Sequence, residues 1–105
     1  MNNNILNNDV ELLLRIQQND EKALACLMRK YYPGIYRFAL QFTKDEDVIK
    51  LCIRDVFVGV WQQRRFAGRI FSLQAHLFKN TRSKLSQRNR KEKEIVYLNV
   101  NQYAY

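Results

Sequence analysis

Between Lys44 and Arg65 the chain reads KDEDVIKLCIRDVFVGVWQQRR, and in it Ile49, Cys52, Ile53, Val56, Phe57 and Val60 recur at helical spacing. A period of three and four residues gathers all of these side chains on one face of a helix. A strand would scatter them over both sides of a sheet. The acidic start, Asp45, Glu46 and Asp47, suits the positive end of a helix dipole, and Arg64 and Arg65 suit the negative end. A helix with one apolar face must bury it against further elements. With three glycines and one proline in 105 residues, the chain has few of the breakers that the turns of an all-β fold require. The expected architecture is therefore all-α, a compact bundle of about four helices.

The flanking segments supply the other helices. NNDVELLLRIQQND predicts a short helix capped by Asn8 or Asp9, with Leu12, Leu13 and Ile16 as its apolar stripe. A second helix, capped by Asn19 or Asp20, carries Leu24, Leu27, Met28, Tyr31, Ile35, Phe38 and Phe42 in register. Pro33-Gly34 falls inside that pattern, and the unbroken register favours one kinked helix over two. RRFAGRIF has no helical period and contains a glycine, which predicts a loop. Ser72 is placed to cap a last helix whose thin stripe is Leu73, Leu77, Phe78, Thr81 and Leu85. The tail IVYLNVNQYAY reads as an extended segment, or as a strand where an edge is on offer. One domain over residues 1–94, followed by a tail or linker over 95–105, is expected. A chain of this length can bury about two-thirds of its unfolded surface, so neither metal nor disulfide is needed for folding.

Charge says more than the helices do. The net charge is +8, and the carboxylates are confined to Asp9–Asp55 and to Glu92 and Glu94. From Val56 to Lys91 there is none, although Arg64, Arg65, Arg69, Lys79, Arg82, Lys84, Arg88, Arg90 and Lys91 are all cationic. A solvated helix face normally mixes both signs. A segment of one sign repels itself unless a polyanion compensates it. Nucleic acid is the expected partner, with an acidic protein surface as the rival. Lys79, Arg82, Arg88 and Arg90 can reach phosphates, and Asn80, Ser83 and Gln87 can read base edges. Phe66 and Phe71 flank the basic loop, and aromatics beside arginines suit unstacked bases better than an intact duplex.

Other function classes find little footing. His76 is the single histidine, Cys26 and Cys52 form no CxxC pair, and no glycine-rich phosphate loop occurs. No enzymatic activity, cofactor or metal is expected. MNNNIL has neither the basic start nor the apolar run of a secretory signal. No stretch approaches the ~18 apolar residues of a membrane span, so no membrane insertion and a cytoplasmic protein with reduced thiols are expected. On the helix of the opening stretch, Leu51 and Val58 fall opposite the core line among Asp47, Arg54, Asp55 and Gln62, with Trp61 at the border. An apolar pair amid charge hints at a protein partner.

Taken in order, DEKALACLMRKYYPGIYRFALQFTKDEDV, RDVFVGVWQQRR and SLQAHLFKNTRSKL with RNRKEKE resemble the second conserved region of bacterial extracytoplasmic-function sigma factors, those of the Bacteroidetes type most of all. The resemblance runs from about Asp9 to Glu94. It implies a helical domain that docks on the clamp helices of the RNA polymerase β′ subunit and opens the −10 promoter element. It also implies a flipped base held in the loop before the last helix. Carried onto this chain, it puts Arg54, Asp55, Val58 and Gln62 on the polymerase-facing helix, with Lys50 and Leu51 where the family has an acidic pair. It puts Arg64, Arg65, Arg69 and Phe71 in the base-capturing loop, and Lys79, Arg82, Ser83 and Gln87 on the promoter-reading helix. Phe57 and Trp61 match positions that are mainly structural. No helix-turn-helix domain of the kind that reads the −35 element is expected after Glu94. The function implied is a sigma-like initiation protein joining polymerase core to −10 DNA. The alternative is a diverged interaction module that titrates polymerase or an anti-sigma factor without opening promoters.

Overall fold

The computed structural model describes the backbone of residues 3–103 and the side chains of residues 8–88. Four α-helices and one 3₁₀ segment follow in order: α1 (Asn3–Gln17), α2 (Glu21–Ala39), α3 (Glu46–Gln62), η1 (Arg64–Arg69) and α4 (Leu73–Tyr103). No strand occurs among the described residues. The protein is an all-α bundle in which α3 packs on α2 and α4, α4 also packs on α2, and α1 closes over α2 and η1.

Local chemistry sets the helix limits. The Asp20 carboxylate accepts from the backbone N–H groups of Lys22 and Ala23 at 3.0 and 3.3 Å. Asp45 does the same for Asp47 and Val48 at 3.1 and 3.3 Å. Each satisfies donors that a helix start leaves without partners. At the end of α1, Asn19 takes a left-handed conformation, φ 68°. Asp20 N–H then reaches Arg15 C=O and Asn19 N–H reaches Ile16 C=O, both at 3.0 Å. That reversal is the closure in which asparagine can stand in for glycine, and it leads directly into the cap of α2.

Pro33 lies within α2 and is exposed, while Leu27 and Ile35 on either side of it are fully buried. The helix is single, as its register implied. The carbonyl left without a helical donor by Pro33 belongs to Arg29, which is also exposed. Phe57, Ile16, Leu27, Ile35, Ile49, Ile53, Leu77, Thr81 and Cys52 make up the fully buried centre, drawn from every α-helix. All of the opening-stretch positions, Ile49 to Val60, are buried. Thr81 is the polar member, and its hydroxyl donates to Leu77 C=O at 2.7 Å. Among the described residues no buried side-chain nitrogen or oxygen lacks a partner.

Four expectations need correction. Asn8 and Asp9 lie inside α1, not at its start. The Asp9 carboxylate is drawn across to α2, where Lys30 pairs with it at 2.6 Å and the Tyr31 hydroxyl donates to it. Burial, reinforced by that carboxylate, pushes the Tyr31 phenol above its usual range. Phe42 leaves the apolar stripe and is exposed, because α2 ends at Ala39 and the turn after it carries Phe42 off the core face. RRFAGRIF is not an open loop: Phe66 N–H bonds Gln63 C=O at 2.9 Å, Ile70 N–H bonds Ala67 C=O at 3.1 Å, and Ala67 is buried. The tail is helical to Tyr103, not extended. No glycine or proline interrupts the chain after Leu73, and extending an existing helix is far easier than nucleating another element.

Candidate nucleic-acid interface

The basic surface is organised by the way α3 ends. Gln63 departs from helical geometry, φ −104° and ψ 24°, and its N–H closes on Gly59 C=O. The next residue, Arg64, turns its guanidinium back to within 4.4 Å of the Trp61 ring centroid. It donates to Trp61 C=O at 2.8 Å and to the Asn19 side-chain oxygen. Arg64 therefore joins the C-terminal ends of α1 and α3, where a cation is favoured by both dipoles. Gln17 Nε2 lies 3.5 Å from Arg65 C=O, and 3.2 Å from where a Cβ on Gly68 would sit. Gly68 thus lets η1 lie close against α1.

With Ala67 anchored inward, the aromatic residues of this segment turn out. Phe66 is 45% exposed and Phe71 is fully exposed. Leaving such a ring in water forgoes about 1.5–3 kcal/mol of burial. The guanidiniums of Arg65 and Arg69 stand 5.3 and 5.1 Å from the Phe66 ring centroid. Gln63, Phe66, Arg69, Ile70, Phe71 and His76 surround an open pocket of about 280 Å³. Ser72 then starts α4, its hydroxyl accepting from Ala75 N–H at 3.3 Å. Burial, followed by the charge of Lys79, holds the His76 imidazole below its ordinary pKa of 6.5. Near neutral pH its ring therefore offers one donor and one acceptor to the pocket.

Along α4 the expected contact residues separate. Lys79, Arg82, Ser83 and Gln87 are exposed. Arg82 leans toward α2, its guanidinium 5.8 Å from the Phe42 ring, and Phe42 in turn meets Phe38, which meets Phe78. Arg88 is not on that surface. It pairs with Asp55 of α3 at 3.4 Å, and Asp55 also faces Arg54 at 3.3 Å. The Arg90 side chain lies outside the described residues. Arg65, Arg69, Phe71, Lys79 and Arg82 therefore remain open to a ligand, whereas Arg64 and Arg88 join helices together.

Sequence reasoning missed Gln63 and His76 as pocket residues. Nothing local marks them, since their convergence depends on η1 folding back between α1 and α3. On the outer face of α3, Lys50, Arg54, Val58 and Gln62 are exposed and Leu51 is half-buried. Cys52 is buried, and burial pushes its thiol up in spite of the nearby Arg88. Among the described residues no cluster of histidine, cysteine or carboxylate is placed to hold a metal ion. None of their helices is long and apolar enough to cross a membrane. Comparisons with protein-family models, curated proteins and solved structures returned no match.

Proposed function

We propose that this chain is a sigma region 2-like transcription-initiation module that binds unpaired −10 promoter DNA through η1 and α4 and RNA polymerase core through the outer face of α3. The observation that carries the reading is the fully exposed Phe71 beside Phe66, rimmed by Arg65 and Arg69, in a stretch from Val56 to Lys91 that has no carboxylate. An exposed ring offers a stacking face that any unpaired base can use, while the guanidiniums attract the strand's phosphates. Duplex bases present no such face. Replacing Phe71 with alanine is expected to weaken binding of a single-stranded oligonucleotide about tenfold, since one base–aromatic stack contributes about 1–3 kcal/mol. Thermal stability should not change, because Phe71 buries nothing. Fluorescence anisotropy titration checks this, and wild-type affinity in the variant would overturn the assignment of Phe71.

A second reading is an interaction module that holds polymerase or an anti-sigma factor without opening promoters. It is favoured by Lys50 and Arg54, both exposed around Leu51 and Val58. Those cations turn the α3 face toward an acidic partner. Tagged protein is expected to recover the polymerase β′ subunit from a bacterial lysate, and a Val58→Asp variant with an intact helical spectrum is expected to lose it. Equal recovery by both proteins would remove the outer face of α3 from the reading.

A further inference from the structure

Beyond the aromatic pocket, a second depression runs between α3 and α4, about 250 Å³ in volume. Val60, Gln63 and His76 line both, so the two are neighbouring compartments. The chemistry of the second is different. It has no aromatic wall. Asp55 and Gln62 from α3, with Gln63 just beyond its end, face His76, Asn80 and Lys84 from α4. His76, Asn80 and Lys84 are four residues apart and follow one edge of α4, each step covering about 6 Å along its axis. Asn80 Nδ2 donates to His76 C=O at 2.8 Å, which leaves the Asn80 oxygen as an acceptor. The Asp55 carboxylate in this lining is already paired with Arg54 and Arg88, so the groove offers donors, acceptors and one cation unpaired among the described residues, Lys84, to a base edge and its phosphate.

Gly59 opens this compartment. A Cβ added there would meet nothing within 4 Å, so the space in front of the glycine is empty. Most helix-to-helix seams close with apolar side chains. Here a polar row faces a residue with no side chain at all.

Resting on the single-strand reading above, we propose that the α3–α4 groove seats the base adjacent to the one stacked at Phe66 and Phe71. The protein then takes two consecutive unpaired nucleotides. The first is held by its ring face, which is tolerant of sequence, and the second by its hydrogen-bonding edge, which is not. Sequence preference would therefore reside in the groove, with Gln63 and His76 at the boundary between the two positions.

The test is an abasic scan. Single-stranded oligonucleotides, each lacking one base at a successive position, are titrated by anisotropy against wild-type protein, Gly59→Leu and Asn80→Ala. Leucine fills the groove and favours helix over glycine, so α3 should stay folded, as circular dichroism will show. Wild type should lose about tenfold at each of two adjacent positions. Gly59→Leu should bind about tenfold more weakly and respond to the stacked position alone. Asn80→Ala should keep both responses but lose discrimination among bases at the second. One sensitive position in the wild type, or a wild-type profile in Gly59→Leu, overturns the two-base site and leaves the stacking pocket standing. No binding by the wild type overturns the single-strand reading itself.

Discussion

Reversing two cations, Arg69→Glu with Arg82→Glu, is expected to abolish measurable single-strand binding at physiological salt while leaving the helical spectrum intact. Both side chains are exposed, and neither forms an ion pair within the described structure. Their neighbours along the chain from Val56 to Lys91 are neutral or cationic, so two new carboxylates relieve repulsion within the protein. Toward a polyanion they do the opposite. Two lost phosphate contacts should lower the log–log salt slope by about 1.4, at about 0.7 per contact on single strands, and the new negative charges repel the strand as well. Titrations over a range of salt check both numbers. A slope that does not move, in a folded variant, would place the strand elsewhere on the protein.

Phe57→Ala should have the largest effect on the fold. Phe57 is 1% exposed and is the largest of the fully buried side chains. Truncating such a ring costs about 3–5 kcal/mol, the lost transfer energy together with the cavity left behind. Domains of this size have about 5–15 kcal/mol in total, so the variant should sit near the edge of unfolding. A urea titration should show a midpoint shifted far to lower concentration, or no native baseline at all. A shift of less than 1 kcal/mol would mean that α2 and α4 collapse into the space.

These two substitutions mark what could and could not be read from the residues alone. Phe57 was legible because a helical period assigns a whole face at once, and Ile49, Cys52, Ile53, Val56, Phe57 and Val60 all lie inside. The thin stripe of α4 was legible for the same reason, down to Thr81. Caps were less so: Asn8, Asp9, Asn19 and Asp20 are all good capping residues, and only tertiary partners decide among them. Lys30 and Tyr31 take Asp9 into the α1–α2 contact, and Asn19 becomes the left-handed turn that frees Asp20 to cap. Arg88 looked like a phosphate ligand because its local surroundings are basic, but its partner Asp55 lies 33 residues earlier in the chain. The pocket at Phe71 could be anticipated in its aromatics and cations. It could not be anticipated in Gln63 and His76, which come from elements that meet only after η1 has folded.

The Arg64 bridge has a consequence for the thermodynamics of binding. A segment such as Gln63–Ser72, if free to sample many shapes, would forfeit that freedom each time a strand settled on it, and affinity would suffer accordingly. Arg64 holds one end of the segment to Trp61 and Asn19, Ala67 pins its middle, and Ser72 locks the other end into α4. The loss of freedom is therefore borne during folding, at a point where the whole bundle offsets it. What remains for the nucleic acid is an arrangement of rings and charges already in place, so association should show a small entropic penalty and little dependence on slow rearrangement of the protein.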